Sequence, residues 1–302
     1  MPAYTSNFPE LLLPTLRVVY GDSYGEYPEE YSDIYDFDTS NRAYEEDHGL
    51  SGFGFIPIKP EGSSIVYDEM YNAYTTRYTQ FVFALGFIVT REMWEDDQYK
   101  KMKNRSKALA RSVRQTIEVL GANVLNRAFN SAYKGGDGKE FLATDHPLAG
   151  GGTFRNELSI PADLDITSYE QALIDIQMEL VDDRGLKVRA LPKKLIVHPI
   201  NDFQAQQILK SARLPGTANN DFNPAQGTMP GGHKVLHWLT DPDAFFIQTD
   251  VPNGLVWIWH EGGKPAFGQD NDWETENGKY KTRFRCAQGF TDPRSFFGSP
   301  GQ

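Results

Sequence analysis

Between Arg91 and Phe129 apolar residues recur at helical spacing. Met102, Leu109, Val113, Ile117, Leu120, Val124 and Ala128 fall three, four or seven apart, which marks one apolar stripe on a long helix. At about 1.5 Å per residue, a helix over that span is roughly 55–60 Å long. That is well beyond the three turns usual in globular domains. Such a rod suits the spine of a flat subunit, and equally the long core helix of an enzyme with one solvated face. Ahead of it Phe81, Phe83, Leu85, Phe87 and Val89 alternate strictly, as a strand with one apolar face does. With Lys59-Pro60-Glu61-Gly62-Ser63 as a turn, residues 51–92 read as a long two-stranded excursion. Its free edge would need a neighbour to cover it, which points to assembly.

Downstream, Tyr169, Leu173, Ile176 and Leu180 predict a helix from Ser168 to about Val181, capped by Thr167 or Ser168. A short buried strand follows at Leu195–His198, then a helix over Asp202–Lys210. Residues 211–232, rich in Gly, Pro and Asn, read as a long exposed loop. Strands are expected over Asp243–Thr249, Leu255–His260 and Tyr280–Gly289. The first fifty residues lack the aliphatics for a core after Leu11, Leu12 and Leu13, while Tyr20, Tyr24, Tyr27, Tyr31 and Tyr35 stand among acids and glycines. They predict an extended arm laid on another surface, with one short helix starting at Pro28-Glu29-Glu30. The class is α+β.

Charge sharpens this picture. Residues 1–50 hold eleven acids against two bases, −9 of the chain's −11. Residues 100–114, by contrast, carry Lys100, Lys101, Lys103, Arg105, Lys107, Arg111 and Arg114 with no acid. This face could contact phosphates without reading sequence. It could equally receive the acidic arm of the same or an adjacent subunit. Aromatics are not interleaved with these bases, so base stacking on single strands is not expected. No apolar run is long enough to span a membrane, and the start has no basic leader of a secretion signal. The lone Cys286 cannot form an internal disulfide, which fits a reducing cytoplasm.

Candidate chemistry is sparse. Gly135-Gly136-Asp137-Gly138 and Gly150-Gly151-Gly152-Thr153 match no phosphate-binding pattern and read as turns. His146 beside Asp145 could be a general base with its orienting carboxylate, although no nucleophile accompanies it. His233 and His237 stand four apart, a metal spacing on a helix, but the residues between them read as strand. No catalytic set, metal or cofactor is expected.

Several phrases, taken in order, resemble the major capsid proteins of tailed bacteriophages, in particular the Mu-like major head subunit branch. They are Ser40-Asn41-Arg42-Ala43-Tyr44-Glu45-Glu46, Tyr67-Asp68, Thr76-Arg77-Tyr78-Thr79, Gly86-Phe87, Thr90-Arg91-Glu92-Met93 and Asp96-Asp97. Ala110-Arg111-Ser112, Asn123, Asn126 and Thr144-Asp145-His146-Pro147-Leu148 continue the order. Pro192-Lys193-Lys194-Leu195-Ile196-Val197, Leu209-Lys210-Ser211, Leu239-Thr240-Asp241-Pro242 and Gly289-Phe290-Thr291-Asp292 complete it. The resemblance implies a Hong Kong 97-like capsid fold. Residues 1–50 would be the N-arm, 51–92 the extended loop reaching a neighbour, and 93–184 the peripheral domain with its spine helix. Residues 185–250 would form the axial domain, and 251–302 the return strands of the peripheral domain. It further implies hexamers and pentamers closing an icosahedral shell around double-stranded DNA, non-specific DNA contacts, and portal, scaffold and decoration partners. Some members weld subunits through a lysine; Lys59 lies near the loop tip, but nothing around it marks that chemistry. No scaffolding leader is expected before residue 20. An encapsulin-like compartment holding protein cargo, and a hydrolase using Asp145 and His146, are the alternatives. Particle mass would separate a shell protein from a small soluble enzyme.

Overall fold

The computed structural model describes residues 8–96, 98–214, 221–272, 274–275 and 277–302. Part of the expected loop at 211–232, and Asp97, lie outside the described residues.

The first described element is helix α1, Phe8–Gly25. This corrects the extended arm: Leu16, Tyr20 and Tyr24 repeat every four residues along one helical face. Leu16 and Tyr20 are buried, packing with Met102, Leu109 and Ala110 of the spine helix into small clusters. The expected helix at Pro28 is only a single 3-10 turn, Tyr31–Asp33. Strand β1, Asp36–Ser40, then joins the main sheet. Strands β2, Tyr44–Leu50, and β3, Asn72–Thr79, form an antiparallel hairpin. The two-stranded excursion therefore pairs 44–50 with 72–79. The alternating strand β4, Phe81–Val89, belongs instead to the main sheet.

The rod is broken. Helix α2, Arg91–Glu95, ends before α3, Tyr99–Asn126, begins. Acids Glu92, Glu95 and Asp96 crowd this short first segment, and carboxylates at its end oppose the helix dipole. The 28 residues of α3 span about 42 Å. Next come the short pair β5, His146–Pro147, and β6, Thr153–Phe154. Helix α4, Ile166–Met178, is capped by Asp165 with Ser168 in a reciprocal box, two residues earlier than the spacing suggested. Strand β7, Pro192–Val197, helix α5, Asp202–Lys210, and strands β8, His233–Val235, and β9, Phe245–Thr249, follow. The chain ends with β10, Leu255–His260, β11, Ala266–Asn271, β12, Gly278–Phe290, and β13, Phe296–Ser299.

Two sheets organise the molecule. The first runs β1-β10-β12-β11, with β4 on the other side of β12. The second runs β13-β9-β7-β8, so the last strand leaves the return strands of the first sheet and pairs with β9. This second sheet separates two cores by simple alternation. Ile196, Phe246 and Phe296 point into the core shared with α3, Trp257 and Phe284. Leu195, Val197, Phe245, Ile247 and Phe297 point into the core under α4 and α5. In β12 the same alternation buries Tyr280, Thr282, Phe284 and Cys286 and leaves Lys279, Lys281 and Arg283 exposed.

Candidate functional site

The seven bases of the spine divide by position. Lys100, Lys101, Lys103, Arg105, Lys107 and Arg111 are exposed, while Arg114 is buried. Arg114 Nη1 donates to Glu29 Oε1 at 2.7 Å, and its guanidinium lies 4.3 Å from the Tyr24 ring centroid. Arg111 lies over Tyr27. Arg105 donates to the Ile88 carbonyl oxygen of β4. Farther along α3, Glu118 accepts from the backbone N–H groups of Glu30 and Tyr31. Residues 24–31 of the acidic segment thus dock along α3 from Arg111 to Glu118, while α1 packs on its N-terminal half. Lys100, Lys101, Lys103 and Lys107 face solvent and make no ion pair among the described residues.

Asp145 and His146 do not form a base with its orienting carboxylate. Asp145 is turned outward to Lys139. His146 is fully buried, its Nδ1 2.6 Å from Asp137 Oδ2 and its Nε2 3.0 Å from Asn156 Oδ1. Asn156 is the hub of this region. Its NH₂ donates to the carbonyls of Phe141 and Pro293, and its Oδ1 also accepts from the Ala143 N–H. Both ring nitrogens of His146 are therefore occupied, and no face is open to a substrate. The glycine-rich stretches on either side are turns. Gly138 and Gly151 hold φ of 81° and 94°, a backbone that favours glycine, and Gly151 N–H closes onto Leu148 O.

His233 and His237 are also separated, the first bonded to Asp202 and the second to Glu30. No group of three or more His, Cys, Asp or Glu among the described residues is placed to hold a metal ion. The Cys286 thiol is buried, and burial pushes its pKa up to about 12, which leaves it protonated and a poor nucleophile.

Glu157, next to the hub residue, has its pKa raised to about 7, by burial first and then by the charge of Glu140. The folded state thus holds this proton more tightly than the unfolded chain. The contribution is fully present below the ordinary value of 4.5 and is lost as pH rises through about 7. Discounted for partial exposure, about 1–2 kcal/mol is at stake. Urea unfolding of unassembled subunits should find Glu157→Gln more stable than the parent at pH 8 and equal to it below the ordinary carboxyl value. Equal stability at both pH values would refute the assignment.

The most exposed apolar surface lies between β2 and β3. Phe55, Ile56, Ile58 and Tyr67 are 87–96% exposed, and Phe53, Ile65 and Val66 more than half exposed. Patches of this kind mark interaction sites. The loop stands on a built collar. Ser51 and Tyr71 exchange hydrogen bonds, and Asp68 accepts from Gly54 N–H. Arg184 grips Asp68 through both carboxylate oxygens at 3.0 and 2.9 Å, donates to the Glu69 carbonyl and lies over the Tyr71 ring. Sequence reading placed a turn here and missed the apolar positions around it, although Phe53, Phe55, Ile56 and Ile58 were visible as a cluster. Arg184 gave no local signal, because its partner lies more than a hundred residues away.

A long helix on a twisted sheet, a second sheet with its own core, and an apolar hairpin tip without cover define a shell subunit. Its fold is the Hong Kong 97-like capsid fold. A family model described as phage capsid protein matches residues 73–298. The chain therefore belongs to the phage capsid protein family, and it is a major capsid protein. Solved structures agree in fold. A chain from Mycobacterium phage Patience superposes with a TM-score of 0.54 at 9% identity, covering 99% of this chain and 89% of that one. The virus-like particle of Pyrococcus furiosus gives 0.53 at 10% identity, covering 95% and 98%. The procapsid of bacteriophage JBD30 gives 0.50 at 16% identity, covering 99% and 77%. Among curated proteins none matches the chain in sequence.

Proposed function

We propose that this capsid protein is the repeating head subunit of a tailed phage of the Mu-like branch, assembling in the host cytoplasm as hexamers and pentamers that close an icosahedral shell around double-stranded DNA. Its role is structural and not enzymatic. The observation that carries the reading is the apolar hairpin tip, whose residues have no cover within their own subunit. Residues 1–50 act as an arm that carries helix α1, and the loop reaching the neighbour is the β2–β3 hairpin with its tip. Residues 93–184 and the strands from 251 to 290 form the peripheral domain, and 185–250, joined by β13, the axial domain. Portal, scaffold and decoration proteins complete the head. The phage capsid family match favours this reading over an encapsulin-like compartment.

Free energy for closure is spread over many contacts, each needing about 1,200–2,000 Å² of buried surface. Negative-stain microscopy after size-exclusion chromatography tests the reading. Polyhedral particles, or hexamers and pentamers that close on concentration, are expected; a chain that stays monomeric with a scaffold supplied would overturn it.

Within that shell Lys100, Lys101, Lys103 and Lys107 face the packaged duplex and contact phosphates. Replacing Lys100, Lys101 and Lys103 with glutamine should weaken duplex binding and flatten its salt dependence by about 0.9 per lost phosphate contact. Unchanged binding across a salt series would sink this assignment.

A further inference from the structure

The uncovered hairpin tip reads Ile56-Pro57-Ile58-Lys59-Pro60 along one arm. Proline fixes its own φ near about −65° and restricts the residue before it to extended backbone. Two prolines three apart therefore hold residues 56–60 close to a polyproline helix, whose side chains repeat every three residues or so. Pro57 and Pro60 then share one edge, Phe55 and Ile58 a second, and Ile56 and Lys59 the third. Two edges are apolar, and the third ends in an ammonium. Phe55, Ile56 and Ile58 stand open to solvent, and Lys59 makes no ion pair among the described residues.

Segments of this kind dock in grooves walled by aromatic rings, and the subunit has such a groove. Tyr24, Tyr31, Phe37 and Trp259 line an open cleft of about 570 Å³, within the span of roughly 300–1,000 Å³ usual for ligand sites. Its rings are fixed from behind. Tyr31 packs 4.8 Å from Trp257, Phe37 stands edge-on to Tyr31 at 5.6 Å, and the Arg114 guanidinium backs Tyr24. Phe37 is nevertheless 46% exposed. Asp38 and Lys264 stand on the rim, and Asp38 makes no ion pair among the described residues, its Oδ1 accepting only from Thr39 N–H. Strand β1, which carries Phe37 and Asp38, is the end strand of the main sheet. The cleft thus lies along the rim of the sheet, where a neighbour standing beside the subunit reaches it without crossing either face of the shell.

We infer that residues 56–60 of one subunit dock in the aromatic groove of the next, with Pro57, Ile58 and Pro60 against the rings and Lys59 at Asp38. The inference rests on the capsid reading and names the surface that the tip covers. A segment already close to its bound shape loses little freedom on docking, and rigid tyrosine and tryptophan rings offer it wide apolar contact. Lys264 carries the same charge as Lys59, so the ammonium is steered to the Asp38 end, which fixes the direction in which the segment lies. Tip and groove are different patches of one chain. The contact therefore runs head to tail from subunit to subunit and closes into a ring when the rotation allows.

Disulfide trapping tests it. Particles of the full chain carrying Lys59→Cys with Asp38→Cys, assembled under reducing conditions and then oxidised with glutathione disulfide, should run on a non-reducing gel as a ladder of covalent oligomers. The native Cys286 is buried and adds no background. Lys59→Cys with Val82→Cys, the latter exposed on β4 at the other edge of the sheet, should stay monomeric on the same gel. Phe37→Asp should raise the protein concentration needed for particles at least tenfold, with circular dichroism and a thermal melt establishing that the variant is folded. If that variant does not fold, the cross-link decides alone. The inference is overturned if particles of the first pair give no ladder, if their disulfide closes within one chain, or if both pairs give equal ladders. It is also overturned if folded Phe37→Asp assembles like the parent. A parent chain that forms no particles would refute the capsid reading itself, and the inference with it.

Discussion

Replacing Asn156 with alanine should cost the unassembled subunit about 3–5 kcal/mol of stability, among the largest effects expected of any single substitution here. The side chain is fully buried. It serves four groups from two separate stretches, Phe141 O, Ala143 N–H and His146 Nε2 in one and Pro293 O in the other. Truncation leaves all four without their partner in a dry site, and each unsatisfied buried polar group costs about 1–3 kcal/mol before relaxation. The strands on either side cannot move in to compensate, because Asn156 N–H and C=O are themselves bonded to Ala143 and Gly298. Asn156→Asp should be nearly as damaging, since a carboxylate would face two carbonyl oxygens. Urea unfolding followed by tryptophan fluorescence measures the difference; a loss under about 1 kcal/mol would show that water or side-chain movement satisfies the site.

Removing residues 55–66 and closing the gap with a short glycine turn should abolish particle formation while leaving the subunit folded. Burying one large apolar side chain contributes about 1.5–3 kcal/mol, and the tip offers Phe55, Ile56, Ile58, Ile65 and Val66. Each docked loop is thus worth on the order of 10 kcal/mol before the ordering cost of association is subtracted. Loss of that term at every subunit boundary removes the drive for closure. Within the monomer these residues are exposed, so the melt should move little. Arg184→Ala is the milder version: the tip remains but its collar loosens, so assembly should slow and particles become irregular. A deletion variant that closes normal shells would show that the tip is not an inter-subunit contact.

Much of this could be read from local pattern. The alternation in 81–89 and 280–289, the apolar stripe from Met102 to Val124 and the helix at Asp202–Lys210 are present where the periodicity places them. Burying one face of a strand or helix leaves a mark at period 2 or 3.6 whatever lies opposite. The same signal was present and overlooked in Leu16, Tyr20 and Tyr24, because tyrosines among acids and glycines resembled a loose arm. The candidate site divides in the same way. That the chain builds no catalytic centre from Asp145 and His146 was decided by Asp137 and Asn156, nine and ten residues from the histidine and brought to it by turns.

By itself the sequence determined the kinds of element, their order, the −9 concentrated in the first fifty residues and the resemblance to phage capsid proteins. Those properties are carried by neighbours in the chain or by composition. Tertiary structure alone decided which strand β4 joins, which stretch of the spine residues 24–31 cover, and that Arg184 grips Asp68. It also set two basic surfaces on opposite sides of one sheet. Each of these depends on which distant segments share a core. A pairing over long sequence separation is selected by total burial and charge balance in the folded subunit, and no local spacing records it.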